Sequence, residues 1–131
     1  MRERTKDFAK GIVKFCRALP REWDVREMGR QLLRSGTSVA ANYRACGRAR
    51  SDKEFCSRLG VVVEEVDESQ LWLELLPEAD PAIADKIQKQ LLREAGELAA
   101  IFTASYRTTK LNLRKRKADK KKARVNGSTR A

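Results

Sequence analysis

The 131-residue sequence contains no histidine, and this absence excludes several kinds of active site. It rules out an imidazole general base, a Ser-His or Cys-His nucleophile pair and a histidine-ligated zinc or di-iron centre. The only cysteines, Cys16, Cys46 and Cys56, are odd in number and show no CxxC spacing. No metal or cofactor is therefore expected, and we interpret the thiols as core or near-core groups in a reducing compartment.

Long apolar runs, proline and glycine are also scarce. No segment approaches the roughly 20 apolar residues that span a bilayer, and no apolar signal-peptide core follows the basic N-terminus. We therefore expect a cytoplasmic protein without a membrane partner. The 3 prolines and 7 glycines interrupt a chain that is 36% charged and 41% hydrophobic. This composition favours helices and is sufficient for one small domain.

Positive charge is concentrated at one end of the sequence. Residues 107–131 contain eleven basic residues and one acid, Asp119, whereas residues 1–106 contain eighteen basic and seventeen acidic residues. The chain thus divides into a nearly neutral body and a cationic tail. From Arg114 onward almost nothing is apolar, so the tail is predicted to be disordered, or a frayed basic extension of the last helix.

Four segments of the body carry apolar residues at the alternating three-and-four spacing of an amphipathic helix. The first is expected to end at Pro20, and the second to run from about residue 22 to residue 48. The third begins at the SDKE capping box of Ser51 and is expected to end at Pro77. The fourth is expected to start with Asp80 as N-cap. Its predicted buried stripe is Ile83, Ile87, Leu91, Ala95, Leu98, Phe102 and Tyr106.

These segments predict an all-α protein, because no strand-like alternation competes with the helical spacing. The expected architecture is an antiparallel up-down-up-down four-helix bundle at residues 1–112, followed by a basic C-terminal tail at residues 113–131 that is predicted to be disordered. Burial of apolar side chains between the helices, at roughly 1.5–3 kcal/mol each, would hold the fold together.

A polar seam is predicted between the second and third helices. Antiparallel pairing about the turn near residues 50 and 51 places Arg34 opposite Asp67 and Glu68, and Ser35 near the same level. Asn42 also falls on this seam, where a buried amide needs hydrogen-bond partners. We interpret Asn42 as a group that fixes register or oligomeric state, with ligand contact as the alternative.

Three stretches of the sequence closely resemble the four-helix bundle family of 23S rRNA intervening-sequence proteins: QLLRSGTSVAANYRACGRARSDKEF, LGVVVEEVDESQLWLELL and ELAAIFTASYRT. The resemblance runs from about Arg4 to Lys110, and its most specific part is RSGTSVAANYRACGRARS at residues 34–51. The wider family usually carries Asn-Ile-Ala-Glu-Gly after the Ser-Val pair. This chain reads ANYRACG instead, so it is similar to a branch with an ANYRA signature, and no role for the family's glutamate is carried over.

The resemblance implies a bacterial protein without known enzymatic activity that assembles as a ring-like homopentamer. Family members are encoded within insertions in large-subunit rRNA genes or stand alone in bacterial genomes. A related group serves as accessory subunit to the reverse transcriptase of diversity-generating retroelements, where the basic pentamer contacts nucleic acid. Polymerase or reverse-transcriptase docking is therefore one expectation for a protein partner.

Oligomerisation is also indicated by the residues themselves. The third helix carries a second apolar row, and an apolar patch of a few hundred Å² on a small monomer usually marks an interface. The candidate interface residues are Tyr43, Trp72 and Leu75. The alternative is that Trp72 simply widens the core.

Function is predicted from the cationic tail. A flexible segment with ten net positive charges suits phosphate binding by counterion release, which is sequence-tolerant and strongly salt-dependent. The tail has no aromatic residue for base stacking. The leading hypothesis is therefore a non-enzymatic, oligomeric bundle that associates with RNA or DNA. The candidate contacts are Lys115, Arg116, Lys117, Lys120, Lys121, Lys122 and Arg124, with Arg44, Arg48 and Arg50 near the hairpin end.

Three alternatives stay open at this point. The tail could serve solubility alone, or the bundle could be a scaffold that docks a protein partner through apolar residues such as Trp72. The third is a nuclease that holds Mg²⁺ with acids of the third helix, among them Glu65 and Asp67. The interpretation we favour for these acids is ion pairing with Arg34 and other basic residues, at about 0–1 kcal/mol for each exposed pair.

Overall fold

Four α-helices make up most of the computed structural model, which describes residues 1–129 and their side chains through residue 127. The helices are α1 (Arg2–Arg17), α2 (Trp23–Cys46), α3 (Asp52–Ala79) and α4 (Lys86–Thr129). A 3₁₀ turn, Pro81–Ile83, lies between α3 and α4. No β-strand occurs in residues 1–129, and the prediction of an all-α four-helix fold is confirmed.

Each helix packs against its neighbour along the chain, and α1 also packs against α4. Ile12 of α1 lies beside Gly36 of α2, and Leu19, just after α1, lies beside Gly29, so the two segments pair in opposite chain order. Contacts of α4 with α1 and with α3 follow the same opposite order. At Gly36 a Cβ atom would lie 2.9 Å from both Cγ atoms of Ile12, so only glycine permits this approach.

The core lies where the predicted stripes of the four helices face one another. Most stripe positions are buried, and each fully buried aliphatic or aromatic side chain contributes roughly 1.5–3 kcal/mol. The buried apolar residues of the four helices are Phe8, Ile12, Phe15, Val25, Leu32, Val39, Cys46, Cys56, Leu59, Val62, Val66, Leu73, Leu76, Leu91, Ala95, Leu98 and Phe102.

The predicted end of α3 at Pro77 is wrong, because the helix continues to Ala79. A proline within a helix leaves the carbonyl four residues earlier without its usual N–H partner. That carbonyl belongs to Leu73, and the buried side chain of Gln88 donates an N–H to it over 2.8 Å. A neighbouring element thus supplies the missing hydrogen bond and lets α3 continue for two residues beyond the proline.

The predicted start of the fourth helix at Asp80 is also wrong. Asp80 caps the 3₁₀ turn by accepting an N–H from Ala82 at 3.1 Å, whereas α4 begins at Lys86 with Asp85 accepting an N–H from Gln88 at 2.8 Å. The predicted stripe required one continuous helix from residue 83, whereas residues 84 and 85 belong to neither element. Ile87, predicted to be buried, is 54% exposed, and Gln88 takes the buried position.

The capping box at the start of α3 is present with one change. Ser51 Oγ accepts the backbone N–H of Glu54 at 3.1 Å, as the sequence predicts. The Glu54 carboxylate accepts the backbone N–H of Arg50 at 3.2 Å, one residue before the cap. This hydrogen bond, assisted by the Arg58 side chain at 3.1 Å, lowers the pKa of Glu54 below its ordinary value.

Helix α4 extends well beyond the bundle. Its side chains from Arg114 through residue 127 are exposed, and we call residues 107–129 the extension. The helix crosses the predicted domain boundary at residue 113 without interruption, and disorder of the tail in solution stays a prediction. No helix within residues 1–129 combines the length and apolar character needed to cross a membrane.

Candidate nucleic-acid interface

Two groups of basic residues that are distant in the sequence meet at one end of the bundle. Arg116 in the extension forms an ion pair with Asp52 in the first turn of α3. Asp52 directly follows the hairpin that joins α2 to α3, where Arg44, Arg48 and Arg50 were predicted to bind phosphate. The pair therefore brings the tail and the hairpin arginines to the same end, which we call the hairpin end.

A cationic cleft lies between the extension and the start of α3. Its volume is about 520 Å³, and basic side chains make up most of its lining. Asp52 is its one acidic lining residue and is already paired with Arg116. Excess positive charge in a concave site raises the local concentration of anions. The residues lining this cleft are Asp52, Lys53, Lys110, Leu113, Arg114, Arg116, Lys117 and Lys120.

A second cleft, of about 430 Å³, lies on the α2 side of the hairpin end. It combines cations with aromatic rings, a pairing that suits contacts with both phosphates and bases. The Tyr43 ring also packs against Phe102, with ring centroids 5.5 Å apart and planes tilted by 45°. The residues lining this cleft are Arg2, Tyr43, Arg44, Cys46, Gly47, Arg48 and Phe55.

The predicted tail residues lie exposed along the extension, and the structure adds cations that the sequence reasoning missed. Lys110 and Arg114 line the first cleft, Lys53 faces them from α3, and Arg2 reaches the second cleft from α1. Lys110 was missed because it lies before the predicted boundary at residue 113. Antiparallel packing places the start of α1 beside the end of α2, a signal that could have pointed to Arg2.

The polar seam between α2 and α3 differs in one partner from the prediction. Arg34 donates to Glu65, with Nη1 to Oε2 at 3.3 Å, and to Glu68. Asp67 is exposed and does not take part, which corrects the predicted pairing. Positions 65 and 68 are three residues apart and therefore lie on the same side of α3, the side that faces α2, whereas residue 67 points away from α2. The Arg34 hydrogen bond to Glu68 lowers the pKa of that carboxyl group below its ordinary value.

Ser35 is buried on this seam, and its partner is a second serine. The Ser69 hydroxyl donates to Ser35 Oγ at 2.9 Å, while Ser35 Oγ donates to the Leu32 carbonyl at 3.3 Å. Asn42 is only half-buried, and its Nδ2 donates to the Ser38 carbonyl of the same helix at 2.9 Å. Its contact is thus local, and a role for Asn42 in oligomeric state stays a prediction.

The acids of α3 do not form a metal site in the described part of the chain. Glu65 and Glu68 are both occupied by Arg34, and no group of three acidic or cysteine side chains among residues 1–127 is placed to hold a metal ion. Glu68 also accepts the Trp72 indole N–H at 3.3 Å.

The three predicted interface residues differ in exposure. Tyr43 and Trp72 are half-buried and pack against the core of their own chain, whereas Leu75 is exposed on α3. Leu71 and Val61, which the sequence reasoning did not single out, are exposed on the same helix. The interface role of Tyr43, Trp72 and Leu75 stays a prediction.

The three cysteines are free thiols, two buried and one half-buried, as the sequence predicts. Burial raises the pKa of Cys16 to about 11, and its Sγ–H donates to the Gly29 carbonyl at 3.5 Å. Burial also raises the pKa of Cys46. Because the thiolate is the nucleophilic form, the raised pKa values make both thiols weak nucleophiles at neutral pH.

The fold and the site together define a four-helix bundle with one strongly cationic end. The chain belongs to the 23S rRNA-intervening sequence protein family, whose model matches residues 1–104. The predicted family resemblance is thereby confirmed. The match covers the bundle and ends before the extension.

A solved structure supports the same assignment. The chain is similar to a protein of unknown function from the S23 ribosomal protein family of Bacteroides thetaiotaomicron, with 28% sequence identity and a TM-score of 0.72. The similarity covers 80% of this chain and 96% of that one. No curated protein matches the chain.

Proposed function

We propose that the protein is a non-enzymatic, oligomeric four-helix bundle of the bacterial cytoplasm that associates with RNA or DNA through its hairpin end and extension. The observation that carries the proposal is the ion pair between Arg116 and Asp52, which joins the two groups of cations. The free thiols are consistent with a reducing compartment. The family name, which refers to 23S rRNA, supports RNA as a partner.

Phosphate neutralisation is the mechanism that these residues support. Each Lys or Arg that contacts a phosphate releases condensed counterions. On a duplex, each such contact lowers the logarithm of the binding constant by about 0.9 for every tenfold rise in salt concentration. The exposed cations of the extension offer several such contacts. Binding should therefore tolerate sequence changes in the nucleic acid and weaken steeply with salt.

Deleting residues 114–131 tests the proposal directly. The truncated chain should lose retention of RNA or DNA at about 150 mM salt, because about six phosphate contacts disappear and their salt-dependent affinity with them. Its bundle should unfold at the wild-type temperature, since the side chains at residues 114–127 are exposed. Fluorescence anisotropy measures the binding of nucleic acid, and circular dichroism measures the unfolding temperature.

A full-length control separates charge from length. Replacing Lys117, Lys120, Lys121 and Lys122 by glutamine keeps the chain length and favours helix, and it should also weaken binding severely. Unchanged affinity of the truncated chain at moderate salt would overturn the role of the tail. Cleavage of RNA that disappears in Glu65→Ala would contradict the non-enzymatic part of the proposal.

Homo-oligomerisation, as a pentamer, is the second part of the proposal. The exposed Leu71 and Leu75 on α3 support it, because exposed apolar side chains on one helix favour association. A mass measurement in solution should give five times the 14.9 kDa of one chain. Leu71→Arg should lower that mass, whereas Ile87→Arg, on another exposed apolar residue, should leave it unchanged. A monomeric mass at all concentrations would overturn this part.

A scaffold that docks a polymerase or reverse transcriptase is the second candidate function. Trp23, at the end of the bundle opposite the hairpin, is 83% exposed, and tryptophan is enriched at protein interfaces. Trp23→Ala should abolish co-purification with such a partner while nucleic-acid affinity is unchanged. Retention of the partner by this variant would contradict the scaffold function.

A further inference from the structure

The cations of the extension include a regular stripe that composition alone does not reveal. Six basic residues follow one another at helical spacings of three, four, three, four and three: Arg107, Lys110, Arg114, Lys117, Lys121 and Arg124. All six lie on helix α4 and are exposed. At 1.5 Å per residue they form a stripe about 26 Å long that winds gently around the helix, with a cation about every 5 Å.

The stripe occupies a face of α4 that is free of acidic residues. Asp119 is two positions from both Lys117 and Lys121, so the helical rotation places it on nearly the opposite side. Among residues 1–127, none of the six stripe cations forms an ion pair, whereas Arg116, on another side of the helix, is paired with Asp52. The charge of the stripe is therefore available to a ligand.

The bundle holds one end of the stripe in place. The Arg116–Asp52 pair ties the extension to α3. The Tyr106 ring lies beside Gly60 of α3, and Lys110 lies over that ring, with Nζ 5.5 Å from its centroid. Cations at spacings of three and four residues repel one another and thereby destabilise a helix. A bound polyanion relieves this repulsion, so binding should increase the helicity of the extension.

A regular row of cations on a helix fits a double helix better than a single strand. A duplex presents one phosphate per about 1.7 Å of its axis in a preordered array, whereas a flexible single strand loses conformational freedom when it lies along a rod. Proteins that bind single strands offset that loss by stacking bases on aromatic rings. The last aromatic residue of this chain is Tyr106, before the stripe begins.

We infer that the stripe binds the phosphate backbone of double-helical nucleic acid in preference to single strands. This inference rests on the proposed function and specifies its ligand. DNA and RNA duplexes both present a phosphate backbone, and the experiment below shows which of the two is bound. The major groove of B-form DNA is wide enough to admit an α-helix, whereas that of A-form RNA is narrow.

The test compares three ligands of one sequence and length, about 20 nucleotides: duplex DNA, duplex RNA and the single strand. Fluorescence anisotropy with the full chain at about 150 mM salt should give an affinity roughly tenfold higher for at least one duplex, because its higher charge density releases more counterions. Circular dichroism should show a gain in helicity with that duplex.

A charge-matched variant tests the geometry of the stripe. Combining Lys117→Ala and Arg124→Ala with Asn112→Lys and Ala123→Arg moves two cations around the helix and leaves net charge unchanged. All four positions are exposed, so the thermal unfolding of the bundle should not change. The variant should bind the preferred duplex about tenfold more weakly, as expected for two lost phosphate contacts. Lys117→Ala with Arg124→Ala alone should lose at least as much.

The possible outcomes separate the preference for a duplex from the proposed binding of nucleic acid in general. Equal affinity for duplex and single strand, or wild-type affinity of the charge-matched variant, would overturn the inference and leave the proposed function standing. Binding to none of the three ligands would overturn both. A preference for either duplex, lost in the charge-matched variant, supports the inference and identifies the source.

Discussion

Helix α4 contains two regions, one buried in the bundle and one exposed to solvent. Within the bundle, Leu98 is fully buried and Phe102 nearly so. In the extension Leu111 is 56% exposed, and cations lie one helical turn away on both sides of it. One continuous helix thus serves as a core element at one end and as a cationic rod at the other. Burial stabilises the first region, and the second keeps its charge available because it buries almost nothing.

The largest predicted effect is on the free energy of unfolding, when leucine is replaced by alanine in each of the two regions. Leu98→Ala should lower the free energy of unfolding by about 2–5 kcal/mol, because it removes a fully buried side chain and leaves a cavity. Leu111→Ala should change it by less than about 0.5 kcal/mol. Urea denaturation followed by circular dichroism measures both. Similar losses in the two variants would mean that the extension is part of the core.

A smaller effect concerns the hydrogen bond that replaces the one missing at Pro77. Gln88→Leu should destabilise the bundle by roughly 1–3 kcal/mol, because it leaves the Leu73 carbonyl buried without a donor. In the extension, Thr109 makes a comparable bond to the Ser105 carbonyl at 2.8 Å, but in contact with water. Thr109→Val should therefore cost less than about 0.5 kcal/mol.

A double-mutant cycle tests this account of Pro77. Pro77→Ala restores a backbone N–H that can reach the Leu73 carbonyl through the ordinary helical bond. In that background Gln88→Leu should cost less than in the wild type, with a coupling energy of about 0.5–3 kcal/mol. Additive effects of the two substitutions would show that Gln88 contributes by packing alone.

Pro77 and Ile87 also show where prediction from the sequence reaches its limit. The apolar spacing predicted the helices and most of the core, since burial of a stripe depends mainly on local periodicity. The outcome at Pro77 depended on Gln88, eleven residues away and across a turn. Ile87 is exposed because Gln88, which reaches back to the Leu73 carbonyl of α3, takes the buried position in the first turn of α4.

The sequence predicted which basic residues make up the candidate site, but it did not predict how they are arranged in space. The basic character of the tail and hairpin was evident from the sequence, whereas their meeting at one end depends on the Arg116–Asp52 contact between distant segments. Ser35 was placed correctly on the seam, but its Ser69 partner and the exclusion of Asp67 follow from a helical register that spacing fixes only to about one residue.

The smallest predicted effect uses acid to separate the two regions. Glu68 has a pKa below its ordinary value because Arg34 donates to it, so its stabilising contribution is complete above the unfolded-state pKa of about 4.3. That contribution is lost as the pH falls through the lower folded-state pKa. The bundle should therefore lose stability between about pH 5 and pH 3, while the cations of the extension stay charged.

Thermal unfolding across this pH range in Glu68→Gln and Glu64→Gln separates the ion pair from general acid sensitivity. Glu68→Gln should be less stable than the wild type at pH 7 and should show a shallower decline, because it has no carboxylate to protonate at this position. Glu64 is exposed on the same helix and accepts no hydrogen bond from the described residues, so Glu64→Gln should follow the wild-type profile. Identical profiles for all three proteins would show that the Arg34 pair, although formed, contributes no stability, as holds for many ion pairs in contact with water.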